Sequence, residues 1–386
     1  MTEWIECTLD KLGEIVGGAT PSTKCEDYYG GSIPWITPKD LSSFKGRYIT
    51  SGERNITEKG LASCSAQMMP KDAVLFTSRA PIGYVAIASQ SVCTNQGFKS
   101  IVVNDKADPL FVYYLLKYNK DAIEAMGSGT TFKEVSGKTM RAVKVRIPLD
   151  VSYQKRIAAV LDSLDTKIEN SERINDNLQQ QADALFSSLY DRSNTEVRFT
   201  DLIQILGGGT PKTGENTYWN GNIAFFTPKD VGTPYTLITE KTISKEGLSH
   251  CNSRLYPVNT VFVTARGTVG KVGMSGVPMA MNQSCYALVG KETHQLLVYF
   301  YTLKAVDRLK HKASGAVFDA ITTRDFESEQ IMKLSDDDAT AFLRVAEPMF
   351  QEVLNNNIEN LRLSTLRDSL LPKLMSGEID VSAVQL

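Results

Sequence analysis

The text of this chain is written twice. GGATPST (17–23) returns as GGGTPKT (207–213), and YGGSIPWITPKD (29–40) returns at the same offset as WNGNIAFFTPKD (219–230). ITEKGLASC (56–64) then matches ISKEGLSHC (243–251) at an offset three residues shorter. VLFTSRAPIG (74–83) parallels VFVTARGTVG (261–270), TNQGF (94–98) parallels MNQSC (281–285), and SGTTF (128–132) parallels SGAVF (314–318). A tandem duplication constrains the fold more than any short motif, because each copy must reach the same architecture with different side chains.

Each copy predicts an α+β unit. In the first, β-rich runs at 33–36, 73–77, 84–88 and 99–103 are separated by Gly, Pro, Asn and Asp punctuation. A helix follows: Asp108 is its N-cap, Pro109 its first residue, and 110–118 carry it forward, with 296–304 as the second copy's equivalent. The Tyr and Phe residues concentrated there predict core packing rather than a base-stacking platform.

Behind each copy stands a long helix. In 151–190 the apolar residues Ile157, Val160, Leu161, Leu164, Ile168, Ile174, Leu178, Leu185 and Leu189 recur at three- and four-residue steps, with no proline or glycine. At ~1.5 Å rise per residue such a helix spans roughly 55–60 Å. It needs a partner for its stripe. Residues 339–379 supply a less regular one through Phe342, Val345, Met349, Val353, Ile358, Leu361, Leu366 and Leu370, and Pro348 predicts a kink there or the loss of the first turns. The economical arrangement is an antiparallel, coiled-coil-like pair carrying the globular units at opposite ends in pseudo-two-fold relation. The expected divisions are a globular unit at 1–150, a helical spacer at 151–197, a second globular unit at 198–332 and a second spacer at 333–386.

Composition sets broad limits. With 386 residues, 42% hydrophobic and 22% charged, the chain is large enough for two or three cored domains. The acidic start lacks the pattern of a signal peptide, and no run reaches the ~18–20 apolar residues of a membrane span, so a cytoplasmic protein without a membrane partner is expected. Six cysteines without a C-x-x-C pair and three scattered histidines predict free thiols and no metal site. The net charge of −2 conceals a partition. Lys and Arg outnumber Asp and Glu by 18 to 16 in 1–150 and by 14 to 11 in 198–330, but are outnumbered 8 to 5 in 151–197 and 9 to 5 in 331–386. This balance permits a polyanionic partner for the globular units.

Catalytic signatures are missing. GGGTPKTG resembles a phosphate loop, but Glu215 follows Gly214 where a Walker A motif needs Lys and then Ser or Thr. There is no G-x-S-x-G, H-E-x-x-H or dinucleotide fingerprint, and the histidines lie in the second copy alone. Shared polar residues exist at Asp40/Asp230, Arg79/Arg266 and Asn95-Gln96/Asn282-Gln283, and a duplicated hydrolase or transferase built on them is the enzyme alternative. A scaffold that binds proteins along a helical rod is another.

Two similar, non-identical units at fixed separation suit duplex DNA, whose major groove faces the same side every ~34–36 Å. Residues equal in both copies cannot distinguish two half-sites. Thr20/Thr210, Lys39/Lys229, Arg79/Arg266 and Asn95-Gln96/Asn282-Gln283 are therefore candidates for scaffold, phosphate contact or a shared base. Divergent loops are candidates for reading sequence: 41–55 with Lys45 and Arg47 against 231–242 with Tyr235, the turn after Arg79 against that reaching Lys271, and 130–133 with Thr131 and Lys133 against 316–319. Lys24, Lys212 and Arg324 complete the basic candidates, each against the competing reading of a solvated surface charge.

QKRIAAVLDSLDTKIE (154–169) and LRDSLLPKLMSGEI (366–379) resemble the helical spacers of type I restriction-modification specificity subunits. The repeated GG-x-TP, IPWITPKDL and LFTSRAPIG segments are similar to their target recognition domains, and the resemblance spans essentially the whole chain. It implies a non-catalytic DNA-reading subunit that recognises a bipartite asymmetric site, one domain per half, with the helices setting the gap. It implies as partners double-stranded DNA, two methyltransferase subunits docked around the helices and two ATP-dependent restriction subunits. S-adenosylmethionine and ATP with magnesium would then belong to those partners, with no cofactor in this chain. The polar run 179–181 is a candidate for the docking face.

Overall fold

The structure is a computed structural model that describes residues 3–129, 133–232, 234–312 and 320–385. It divides into two compact units, 1–169 with 362–386 and 170–361, so that each long helix contributes one part to each unit.

In the first unit a five-stranded sheet runs in the order Gly13–Gly17, Lys99–Val103, Val74–Ser78, Ile82–Ala88, Tyr48–Ile49. Its pairings are antiparallel, with Ile15 opposite Ile101 and Phe76 opposite Val85, except for the parallel edge that sets Tyr48 against Ile87. All five residues of Val74–Ser78 are buried. That strand shows no polar alternation because both of its faces are covered. Val74 and Phe76 face a core shared with the helix Pro109–Tyr118, and Leu75 faces a second cluster with Ile36 and Phe98. The helix begins as its text predicts: the Asp108 carboxylate accepts the Phe111 N–H at 2.9 Å ahead of Pro109.

The second unit repeats this order with Ile203–Gly207, Cys285–Gly290, Val261–Thr264, Val272–Ser275 and Tyr235–Thr236. Val261–Thr264 is again wholly buried, and Gln295–Lys312 replaces the shorter helix of the first unit. A two-stranded ribbon closes each unit: Trp4–Thr8 with Lys144–Pro148 in the first, Thr195–Arg198 with Gln330–Lys333 in the second. The aromatic-rich helices are core, with Tyr113 and Tyr114 buried in one unit and Tyr299, Phe300 and Tyr301 in the other.

The long helices run Val151–Asp191 and Asp336–Ser376. Within the first unit Asp165 meets Arg367 at 2.6 Å and Tyr153 meets Asp380 at 2.9 Å. Within the second, Asn175 bonds Asn357 and Asn356 at 2.9 Å each, and Arg192 meets Asp338 at 2.6 Å. Partner numbers fall as the central helix advances, so the segments pair antiparallel in each unit. Pro348 does not divide off the first turns, since Asp336–Ser376 is one helix through it. Losing a single N–H to the Arg344 carbonyl is offset by burial of Phe342, Ala346 and Phe350 on either side. The stripe is narrower than the periodicity suggests: Ile174 is 51% exposed, and Val345 and Leu366 are exposed too.

The second helix ends on a signal written in its text. Gly377 takes φ +77°, its N–H donates to Leu374 O at 3.3 Å, and the Glu378 N–H reaches back to Lys373 O at 2.9 Å. This left-handed cap needs glycine, and a Cβ there would also lie 2.8 Å from the Trp4 ring.

Candidate nucleic-acid interface

Four loops meet in each unit, held by the residues the two copies share. In the first, the Thr20 hydroxyl donates to the Gln96 amide oxygen, Ala19 N–H donates to Thr94 O at 3.0 Å, and Asn95 N–H donates to Ile36 O at 3.0 Å. Ser78 N–H donates to Gly97 O at 2.7 Å, which places Arg79 beside the Asn-Gln turn. The Gly-x-Thr-Pro loop, the Thr-Pro-Lys-Asp turn, the Asn-Gln turn and the arginine turn therefore form one cluster. A Cβ on Gly18 would lie 2.1 Å from Asn95 O, so the loops close this tightly on glycine alone.

The second unit builds the cluster from the same atoms. Thr210 donates to the Gln283 amide oxygen, Gly209 N–H to Met281 O at 3.1 Å, Asn282 N–H to Phe226 O at 3.0 Å, and Ala265 N–H to Ser284 O at 2.8 Å. The Thr268 hydroxyl ties the arginine turn to Pro228 O at 3.1 Å. Gly208 repeats the constraint on Gly18, at 2.1 Å from Asn282 O.

These bonds sort the shared residues. Asp40 and Asp230 are framework: their Oδ2 atoms accept the Thr37 and Thr227 N–H at 2.7 and 2.8 Å and both hydroxyls at 2.6 Å. Their Oδ1 atoms accept the Glu53 and Glu240 N–H at 2.7 Å each. A carboxylate so engaged is a turn cap. Asn95 and Asn282 close their own turns on Gly97 and Ser284 at 2.9 and 3.0 Å. Gln96 and Gln283 are exposed and spend their amide oxygens on threonine, which leaves the NH₂ donors for an acceptor such as phosphate or a base edge.

Lys39 and Lys229 are exposed and ion-paired, to Glu53 at 2.7 Å and Glu240 at 3.6 Å. The Glu53 carboxylate, through its hydrogen bond and then its charge, raises the Lys39 ammonium pKa. Arg79 pairs with Glu134 at 3.6 Å, and Lys99 shares that carboxylate at 3.5 Å. Arg266 is exposed and makes no ion pair among the described residues, because Ala320 stands where the first unit has Glu134. Backbone bonds fix that equivalence: Val135 N–H donates to Ser78 O at 3.0 Å as Ile321 N–H donates to Ala265 O at 2.9 Å. Lys24, Lys45, Lys133, Lys212, Lys271 and Arg324 are exposed on loops or short elements. Thr131 and the stretches 130–132 and 316–319 lie outside the described residues.

Two candidates are corrected. Arg47 is 6% exposed and its guanidinium faces the central helix, bonding Asp162, the Thr166 hydroxyl at 2.9 Å and both Glu169 oxygens at 3.1 and 3.0 Å. It fastens the domain to the helix instead of meeting a ligand. Tyr235 is 8% exposed with its hydroxyl on Asn259 at 3.0 Å, and burial pushes its pKa up, so it is an edge-strand core residue. The six cysteines are unpaired, and burial pushes the Cys93 and Cys285 thiols up to about 12. Among the described residues no group of three or more metal-ligating side chains gathers, and no helix is long and apolar enough to cross a membrane.

Known proteins share this duplicated frame. The model of the type I restriction modification DNA specificity domain matches residues 1–180 and again 192–333. The MjaIX specificity subunit of Methanocaldococcus jannaschii is 30% identical over 408 residues, covering 98% of this chain and 94% of that one. The HindI specificity subunit of Haemophilus influenzae is 24% identical, covering 73% and 80%. The crystal structure of a type I restriction-modification S subunit from M. genitalium superposes with a TM-score of 0.64 at 15% identity, over 97% of this chain and 96% of the other, a likeness of fold. The chain belongs to the type I restriction-modification DNA specificity family.

Proposed function

We propose that this chain, a DNA specificity subunit of a type I restriction-modification system, reads a bipartite asymmetric duplex site. Residues 1–150 meet one half and 198–332 the other, with 151–197 and 333–386 as spacers. The observation that carries this reading is the pair of four-loop clusters: one hydrogen-bonded frame, built twice, presenting unlike loops. A common frame supplies the same phosphate geometry to both halves, while the divergent loops carry the different sequence messages. The subunit does no chemistry itself; two methyltransferase subunits bring S-adenosylmethionine and two restriction subunits bring ATP and magnesium. The complex works in the cytoplasm, where its DNA is.

Methylome sequencing of cells carrying the complex tests this. A motif of two unlike halves with one fixed gap is expected; a palindrome or a contiguous motif would contradict it. Matched insertions of about one helical turn after Gln179 and Glu352, positions brought opposite by the Asn175 pairing, should lengthen the gap. An unchanged gap would mean that the helices do not set it.

A further inference from the structure

Tyr29 and Trp219 hold corresponding places in the two copies, and each anchors the backbone of its Gly-x-Thr-Pro loop. The Tyr29 hydroxyl donates to Pro21 O at 2.8 Å, and Trp219 Nε1 donates to Lys212 O at 3.2 Å. Each ring also carries a cation. Arg54 Cζ sits 4.0 Å from the Tyr29 centroid, and Lys241 Nζ sits 5.6 Å from the Trp219 centroid. Both cations are exposed, and neither makes an ion pair among the described residues. A glutamate precedes each one, but those carboxylates are taken by Lys39 and Lys229. The charge of each shared lysine is thus neutralised, and the charge next to it in sequence is not.

We propose that Arg54 and Lys241 are phosphodiester-binding residues, one in each domain, held on aromatic platforms beside the Gly-x-Thr-Pro loops. This rests on the DNA-reading function. The pairs differ, Arg on Tyr in one copy and Lys on Trp in the other, while the arrangement is kept. What survives the exchange is a positive charge above a ring. Two unlike half-sites offer different base edges at corresponding places but the same phosphate, and a phosphate accepts guanidinium or ammonium. The ring restrains a long side chain that would otherwise lose rotamer freedom on binding, and a stacked guanidinium keeps its in-plane N–H groups free to donate.

The test is DNA binding by the full-length chain in complex with its methyltransferase, across a salt series, on the methylated site and on a scrambled duplex. Arg54→Ala and Lys241→Ala should each weaken both duplexes by one common factor, roughly three- to tenfold, and lower the slope of log K against log salt by about 0.9. Arg54→Lys and Lys241→Arg should keep that slope, and thermal unfolding of all four variants should match the parent. Loss confined to the specific duplex would overturn the assignment in favour of base reading. Unchanged affinity and slope would overturn it in favour of a surface stack without a ligand. A parent complex that does not discriminate the two duplexes, with variants that still lose slope, would refute the sequence-reading function and leave the phosphate contacts standing.

Discussion

The two units keep one frame and fasten it to the long helices by different chemistry. In the first unit an apolar seam that buries Ile157 and Leu161 of the central helix is reinforced by ionic bonds. Arg47 enters from the loop before Tyr48–Ile49 to bind Asp162 and Glu169, while Asp165 receives the Tyr114 hydroxyl at 2.7 Å and Arg367 at 2.6 Å. Burial and then the Asp165 charge raise the Tyr114 pKa, so the hydroxyl stays protonated and donates. In the second unit the joint is aromatic: Phe186 of the central helix stacks on Phe300 at 4.9 Å and Tyr190 at 5.6 Å, and meets Phe342 edge-on at 5.4 Å. Copies of one frame can thus diverge where they meet the helices while their loop clusters stay bonded atom for atom.

The aromatic joint should be the more expensive to break. Phe186→Ala deletes a fully buried ring from the centre of its cluster and should cost about 3–5 kcal/mol. Hydrogen exchange should rise across 198–334 and leave 9–148 close to the parent; equal acceleration in both would show that the joints are not separate. Arg47→Ala should cost less, about 2–3 kcal/mol, because Asp162 and Glu169 are about one-third exposed and regain water once the guanidinium is gone. Here the exchange increase should fall on the first unit. A loss below about 0.5 kcal/mol by chemical denaturation would place the bridge among ordinary surface pairs.

The smallest expected effects concern the arginine turn. Glu134→Gln releases Arg79 and Lys99 from their shared carboxylate and should raise non-specific DNA affinity a few-fold, with a steeper salt slope by about 0.9 per phosphate gained. Ala320→Glu should do the reverse at Arg266. Salt titrations in which both substitutions act in the same direction would remove this difference between the heads.

What was legible in the sequence follows from where the physics is local. The repeat is legible by comparing the text with itself, and the Asp108-Pro109 start and the helical stripes rest on neighbours a few residues apart; each is in the structure. The stop at Gly377 is not anticipated, since the expected helical stretch runs on to 379 while the helix ends at Ser376. Arg47 was misread because a basic residue in a polar loop looks like surface until the helix supplying its carboxylates, more than a hundred residues on, is placed against it. Tyr235 was misread for the related reason that a two-residue edge strand has too few positions to show alternation. The left-handed turn after the arginine is announced by Gly267, with φ +82°, but concealed in the first copy by Ala80 at +51°. Arg54 and Lys241 lie within the loops expected to read sequence, 41–55 and 231–242, but the text does not single them out, because a cation above a ring joins segments with no common spacing.

The central claim is that each copy reads its own half of the DNA site. Replacing residues 1–150 with the corresponding domain of another family member, and sequencing the methylome of cells carrying the chimaera, tests it most directly. One half of the methylated motif should change while the other half and the gap persist; a change in both halves would contradict the account.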